Sequence, residues 1–157
     1  MIKLEVLGVS SDGHHQPVVI LRNEERVLPM VVGIAEADAI HAALIHRDIG
    51  RPMTHDLICN ILVGLGGELQ SIVIYKLEND VFYAHLNIER KSATGQVEQV
   101  IRIDSRPSDG IAIATRLSAP IYAAQEVMDQ AGQDVSILGG AEEEEDEDDE
   151  PDFESGP

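Results

Sequence analysis

A chain of 157 residues, 43% hydrophobic and 25% charged, is long enough for one packed domain and too apolar to be disordered throughout. Its formal charge of -18 is unevenly placed: residues 141–157 hold eleven acids and no Lys or Arg, leaving eighteen acids against eleven bases in residues 1–140. This excludes capture of nucleic acid by a broad basic surface as the main mode of action, and with only three Tyr and two Phe no base-stacking platform is expected.

In chain order, residues 2–9 and 16–22 are apolar and β-rich, joined by Ser10-Ser11-Asp12-Gly13-His14-His15, which predicts a hairpin with a loop longer than a tight turn. Asn23-Glu24-Glu25 turns the chain into a third strand near Arg26 to Gly33. Ile34, Ala37, Ile40 and Leu44 then recur at helical spacing within a helix expected from Ile34 to Arg47. A second helix is expected from Thr54 to Leu65, closed by Gly66-Gly67. The order then repeats. Strands at Leu69–Leu77 and Val81–Glu89 flank the short turn Glu78-Asn79-Asp80, and a third strand spans Val97–Asp104. A helix follows from Arg106 to Leu117, then the extended piece Pro120-Ile121-Tyr122-Ala123 and a short helix Gln125–Ala131. This pattern predicts an α+β fold built from a duplicated β-β-β-α(-α) unit, with mostly antiparallel sheet and helices packed on one side.

The helix Thr54–Leu65 is apolar around almost its whole circumference, so it is expected to be covered on all sides, by a second subunit of a homo-oligomer or by deep burial within one chain. Cys59 is alone, so no intrachain disulfide or cysteine zinc cluster is possible. The N-terminus lacks the apolar core of a signal peptide, and no apolar run reaches the ~18 residues of a membrane span, so a soluble, cytoplasmic protein without membrane contact is expected. Residues 1–140 are read as one globular domain and 141–157 as a disordered acidic tail, whose mutual repulsion opposes burial and favours solubility.

Chemistry-bearing residues gather where helices begin. Glu36, Asp38 and His41 lie early in the first helix, where Asp38 and His41 share a face at metal-ligand spacing; acids also simply favour helix N-termini. In Arg51-Pro52-Met53-Thr54-His55-Asp56-Leu57, His55 suits proton transfer and Asp56 suits a metal or a histidine, while Thr54 and Asp56 equally suit helix capping. In Asp104-Ser105-Arg106-Pro107-Ser108-Asp109-Gly110, Arg106 offers a planar fork to phosphate, and Asp104 and Asp109 offer hard oxygens to a divalent cation. The structural alternative there is a Ser105 cap and an Arg–Asp pair that fixes the loop. His14, His15, His46 and His85 read as solvated residues, and no phosphate loop, GxSxG elbow or HExxH pair is present.

These blocks, in this order, resemble the bifunctional nuclease domain family, whose pattern runs R-x-L-P-I-x-I-G-x-x-E-A-x-A-I, P-R-P-x-T-H-D-L, F-Y-A-x-L and D-A-R-P-S-D-A-I-A-L-A. The matching residues are Arg26 to Gly33 with Glu36-Ala37 and Ala39-Ile40, Arg51 to Leu57, Phe82 to Leu86, and Asp104 to Ala114. Gly50, Ser105 and Gly110 depart from the pattern without removing an ionisable group. The resemblance covers residues 2–132 and implies a duplicated α+β fold, often oligomeric, and a nuclease acting on DNA and RNA. It carries over Glu36, His55, Asp56, Arg106, Ser108 and Asp109 as catalytic candidates. The expected chemistry is phosphodiester hydrolysis assisted by a divalent cation, Mg or Mn, held by some of Glu36, Asp56, Asp104 and Asp109. A noncatalytic regulatory or scaffold module of the same fold is the alternative.

Overall fold

Two antiparallel meanders arise from short-range turn chemistry. Strand β1 (Ile2–Ser11) returns through a loop in which the Asp12 carboxylate accepts the amides of His14 and Gln16, at 2.9 and 2.8 Å. Strand β2 (Pro17–Arg22) then turns at Asn23, whose side chain accepts the Glu25 and Arg26 amides before β3 (Arg26–Val31). Helices α1 (Ile34–Leu44) and α2 (Thr54–Gly64) follow. Strands β4 (Gly67–Glu78) and β5 (Val81–Lys91) meet across Asn79 and Asp80, both at positive φ, as a tight primed turn requires. Strand β6 (Val97–Ser105), helix α3 (Pro107–Leu117), strand β7 (Ile121–Ala123), helix α4 (Gln125–Ala131) and the two-residue β8 (Gln133–Asp134) complete the computed structural model, which describes residues 1–136.

The strands form one eight-stranded sheet in the order β6-β5-β4-β7-β1-β2-β3-β8. Every pairing is antiparallel except β4 with β7. The three-residue β7, expected only as an extended piece, therefore joins the two meanders: it runs parallel to β4 and antiparallel to β1. Register puts Leu21 and Leu28, then Leu4, Ile121 and Ile72, then Leu86 and Ile103 on a single face. The buried side chains of all four helices, among them Ile40, Cys59, Ile111 to Ala114, Val127 and Met128, join the core on that face. The α+β class, the mostly antiparallel sheet and the one-sided helices are as expected. No helix among the described residues is long and apolar enough to cross a membrane. The acidic tail assigned to 141–157 lies outside the described residues.

One glycine permits close approach. A Cβ on Gly110 would run into the Ile72 side chain, so α3 begins flush against β4, and the alanine of the family pattern would fit here only if Ile72 shifted. Helix α2 departs from one expectation. Only Cys59 is buried along it, while Leu57, Ile58, Ile61, Val63 and Leu65 are 38 to 74% exposed, so the described residues do not bury this helix deeply. The sequence pattern registers apolarity and cannot say whether the cover comes from the same chain.

Candidate functional site

Three helix starts converge. Arg106 follows β6 in extended conformation and is the N-cap residue of α3. Its Nε donates to Asp109 Oδ2 at 2.7 Å, and its Nη2 donates to Asp109 Oδ1 at 3.1 Å and to Glu36 Oε1 at 2.8 Å. Asp109 Oδ1 also lies 3.0 Å from His55 Nε2. Glu36, His55 and Asp109 stand in the first turns of α1, α2 and α3, and the Glu36–Arg106 bond joins residues 70 apart in sequence. The geometry is forked: Asp109 holds an arginine with both oxygens and a histidine with one.

Exposure is graded across this cluster. The side chains of His55, Glu36 and Asp109 are 13, 19 and 28% exposed, while that of Arg106 is 65% exposed. The guanidinium therefore lies at the surface, fixed from below by two carboxylates, and its Nη1 has no protein partner among the described residues. Burial pushes the Asp109 carboxyl up, but hydrogen bonds from Arg106 and His55 outweigh it and leave it below the ordinary aspartate range. The Glu36 carboxyl is held low first by its own backbone amide and then by Arg106. A side chain on Gly33 would collide with the Glu36 carboxylate, so glycine there lets Glu36 fold back over the start of α1. The two carboxylates in turn keep Arg106 charged. When His55 donates from Nε2 to Asp109, the neutral ring keeps Nδ1 as its basic nitrogen.

The other candidates lie elsewhere. Asp56 accepts the Met53 amide at 2.8 Å and the Arg116 Nε at 2.6 Å. Arg116, 11% exposed, also donates to the Ala39 and Ala112 carbonyls, both at 2.9 Å. Arg116, paired with Asp56, thus ties the three helices together, and Asp56 does not share the Arg106 cluster. Asp104 lies opposite His85 on the sheet face away from the helices. Ser108 is buried, and no hydrogen bond joins it to Arg106 or His55. Asp38 pairs with Arg47 at 3.0 Å, and His41 is exposed. The helix caps are Met53 and Arg106, one residue off Thr54 for α2 and one off Ser105 for α3. Sequence reasoning missed Arg116 and Gly33; the one available signal was a lone charge in the apolar stretch Ile111 to Leu117.

The donor set does not fit a resident divalent cation. Among the described residues no three His, Cys, Asp or Glu side chains gather to hold a metal. The four expected ligands are divided: Glu36 and Asp109 embrace the Arg106 guanidinium, Asp56 is taken by Arg116, and Asp104 faces the other way. The positive charge that Glu36 and Asp109 face is the Arg106 guanidinium.

The family profile described as "Bifunctional nuclease domain" matches residues 18–136. An uncharacterized protein of Mycobacterium tuberculosis is 37% identical over 135 residues, covering 84% of this chain and 77% of its own length. A protein of Oryza sativa subsp. japonica named "Bifunctional nuclease 2" is 30% identical over 109 residues, which is 68% of this chain and 33% of that one. An Arabidopsis thaliana protein named "Bifunctional nuclease 1" is 27% identical over 108 residues, 67% of this chain and 32% of that one. The similarity thus spans about a third of each plant protein.

Proposed function

The chain belongs to the bifunctional nuclease domain family, and from that premise we propose that it hydrolyses phosphodiester bonds in DNA or RNA at the Arg106–Asp109–His55 cluster. The observation that supports this most is the double use of Asp109, which orients both a phosphate-binding fork and a proton acceptor. In this reading Arg106 Nη1 meets a non-bridging phosphate oxygen and stabilises charge that develops there. Hydrolysis adds water across one P–O bond. The water oxygen bonds to phosphorus and one of its protons passes to His55 Nδ1; the P–O bond to the leaving group breaks, the departing ester oxygen takes a proton from bulk water, and His55 returns its own to solvent. Asp109 holds the imidazole in the tautomer that leaves Nδ1 free and stabilises it once protonated, and Glu36 keeps the guanidinium from swinging away.

A second reading has its own support: the same bonds link the starts of α1, α2 and α3, as a noncatalytic regulatory or scaffold module requires. One assay separates them. Purified protein is offered labelled single- and double-stranded DNA and RNA, with Mg or Mn and with EDTA, alongside bis(p-nitrophenyl) phosphate. His55→Ala is expected to lower turnover at least about 100-fold with little change in melting temperature. Unchanged turnover in that variant assigns the activity elsewhere, and a large melting loss without any turnover in the parent favours the scaffold.

A homo-oligomer is also part of this reading. Leu57 and Ile61 of α2 and its C-cap Leu65, four residues apart, form one exposed apolar stripe with Ile58 beside it, and no charged residue follows Asp56 in the helix. Packing this stripe against its copy in a second chain would cover it. Ile61→Asp is expected to convert the oligomer into a monomer by light scattering after gel filtration. A parent chain that is itself monomeric at micromolar concentration sinks this point.

A further inference from the structure

The sheet face turned away from the helices gathers all three tyrosines of the chain. Tyr83 and His85 alternate outward on β5, opposite Phe82, Ala84 and Leu86, which point into the core. Tyr75 sits in a bulge of β4, 40% exposed, with its ring 6.4 Å from that of Tyr83 and 5.2 Å from that of His85. Tyr122 on β7 pairs with Val73 of β4 on one side and Lys3 of β1 on the other, which puts it on the same face. One row across the sheet therefore reads Asp104, His85, Val73, Tyr122, Lys3, at about 4.8 Å per strand.

Cations border these rings. The Lys76 ammonium lies 5.3 Å from the Tyr83 ring centre while paired with Glu78. Arg102 is exposed on the outward side of β6 and has no carboxylate partner among the described residues. The face is also continuous with the cluster described above. Ala84 pairs with Ser105 as the last rung of the β5–β6 ladder, so Tyr83 lies level with Arg106. Among the described residues strand β6 is an edge of the sheet, with no strand beside it between that face and the helix starts.

We infer that this outward face binds single-stranded nucleic acid, bases against Tyr75, Tyr83 and Tyr122 and a phosphate near Arg102, and leads the strand around the β6 edge to Arg106. Aromatic rings on an open sheet take bases of any identity, because every base has a π-face, and a duplex cannot present unstacked bases to them. The scarcity of aromatics in the sequence argued against a platform; segregation of every tyrosine to one face supplies what the count did not. The inference rests on the proposed nuclease reading only for where the strand leads, not for what binds it.

The test uses the full chain in EDTA with a fluorescein-labelled twelve-residue oligothymidylate and a duplex of equal length. As the chain has no tryptophan, its tyrosine emission reports stacking directly. Single strand is expected to quench that emission and to bind more tightly than duplex. Tyr75→Ala should weaken binding about tenfold, and Tyr75→Phe, which keeps the ring, should restore it. Hydrolysis of bis(p-nitrophenyl) phosphate, which has no run of bases, should be unchanged in Tyr75→Ala. Equal affinity for duplex and single strand, absence of quenching, or Tyr75→Ala binding like the parent overturns the platform. Failure of the parent to cleave any diester while it still binds single strand overturns the nuclease reading and leaves the platform standing.

Discussion

Asp109→Asn is expected to lower phosphodiester hydrolysis by about a thousandfold while moving the melting temperature by only a few degrees. The amide keeps the shape of the carboxylate but replaces one oxygen with a donor. It cannot accept two bonds from Arg106 and one from His55 together, as the carboxylate does at 2.7, 3.1 and 3.0 Å. With its oxygen toward His55 and Arg106 Nη2, the amide aims its NH2 at Arg106 Nε; with its oxygen toward Nε, it aims the NH2 at both His55 Nε2 and Arg106 Nη2. In the second case the ring must accept at Nε2, so its proton moves to Nδ1 and the basic nitrogen is lost. Stability changes little, because the pair with Arg106 lies at a side chain 65% exposed and exposed pairs contribute little. Activity and melting thus separate. A melting loss proportionate to the loss of rate, or a rate within threefold of the parent, contradicts the role given to Asp109.

Much of this site is written locally, and the remainder is not. Arg106 and Asp109 are three residues apart across a helix start, so their pairing was among the sequence-level alternatives and is observed. The pairing of Glu36 with Arg106 across 70 residues is different in kind. It depends on how α1 and α3 lie beside one another on a sheet whose two meanders are joined by β7, and a three-residue strand leaves almost no periodic signal. Asp104 shows a limit that strand parity alone would have removed. Ile101 and Ile103 face the core side, so Asp104 must face the other way and cannot reach Asp109 around its own backbone. Asp56 was legible as a helix-start acid, and it does accept the Met53 amide. Its second partner is Arg116, 60 residues on, and nothing in the pattern of α3 says which carboxylate a lone arginine will find. Apolarity around α2 was read correctly as a property of the helix. Its exposure could come only from the tertiary arrangement.

Arg116→Ala is expected to cost about 3 kcal/mol of folding stability, or roughly 10 °C in melting temperature. The substitution leaves the carbonyls of Ala39 and Ala112 and one Asp56 oxygen without the donor they share, in the space where α1, α2 and α3 meet. The Asp56 side chain is 34% exposed, and water there keeps the cost below that of a fully buried broken pair. Asp56→Leu combined with Arg116→Met removes both charges and is expected to melt above Arg116→Ala alone, since no group is then left charged and unpaired. Acid provides an independent check. Arg116, and after it the Met53 amide, hold the Asp56 carboxyl below the ordinary aspartate range. A carboxyl depressed in the folded state contributes stability above its unfolded pKa of about 4 and loses that contribution as pH falls through the lower folded value. Glu36 and Asp109 are depressed too, so both parent and variant weaken in acid. Only the parent loses the Asp56–Arg116 term, so the gap between the two melting curves should narrow from pH 7 toward pH 3. A constant gap over that range, or an Arg116→Ala variant that melts within 2 or 3 °C of the parent, would show that the three helices are held by their apolar contacts alone.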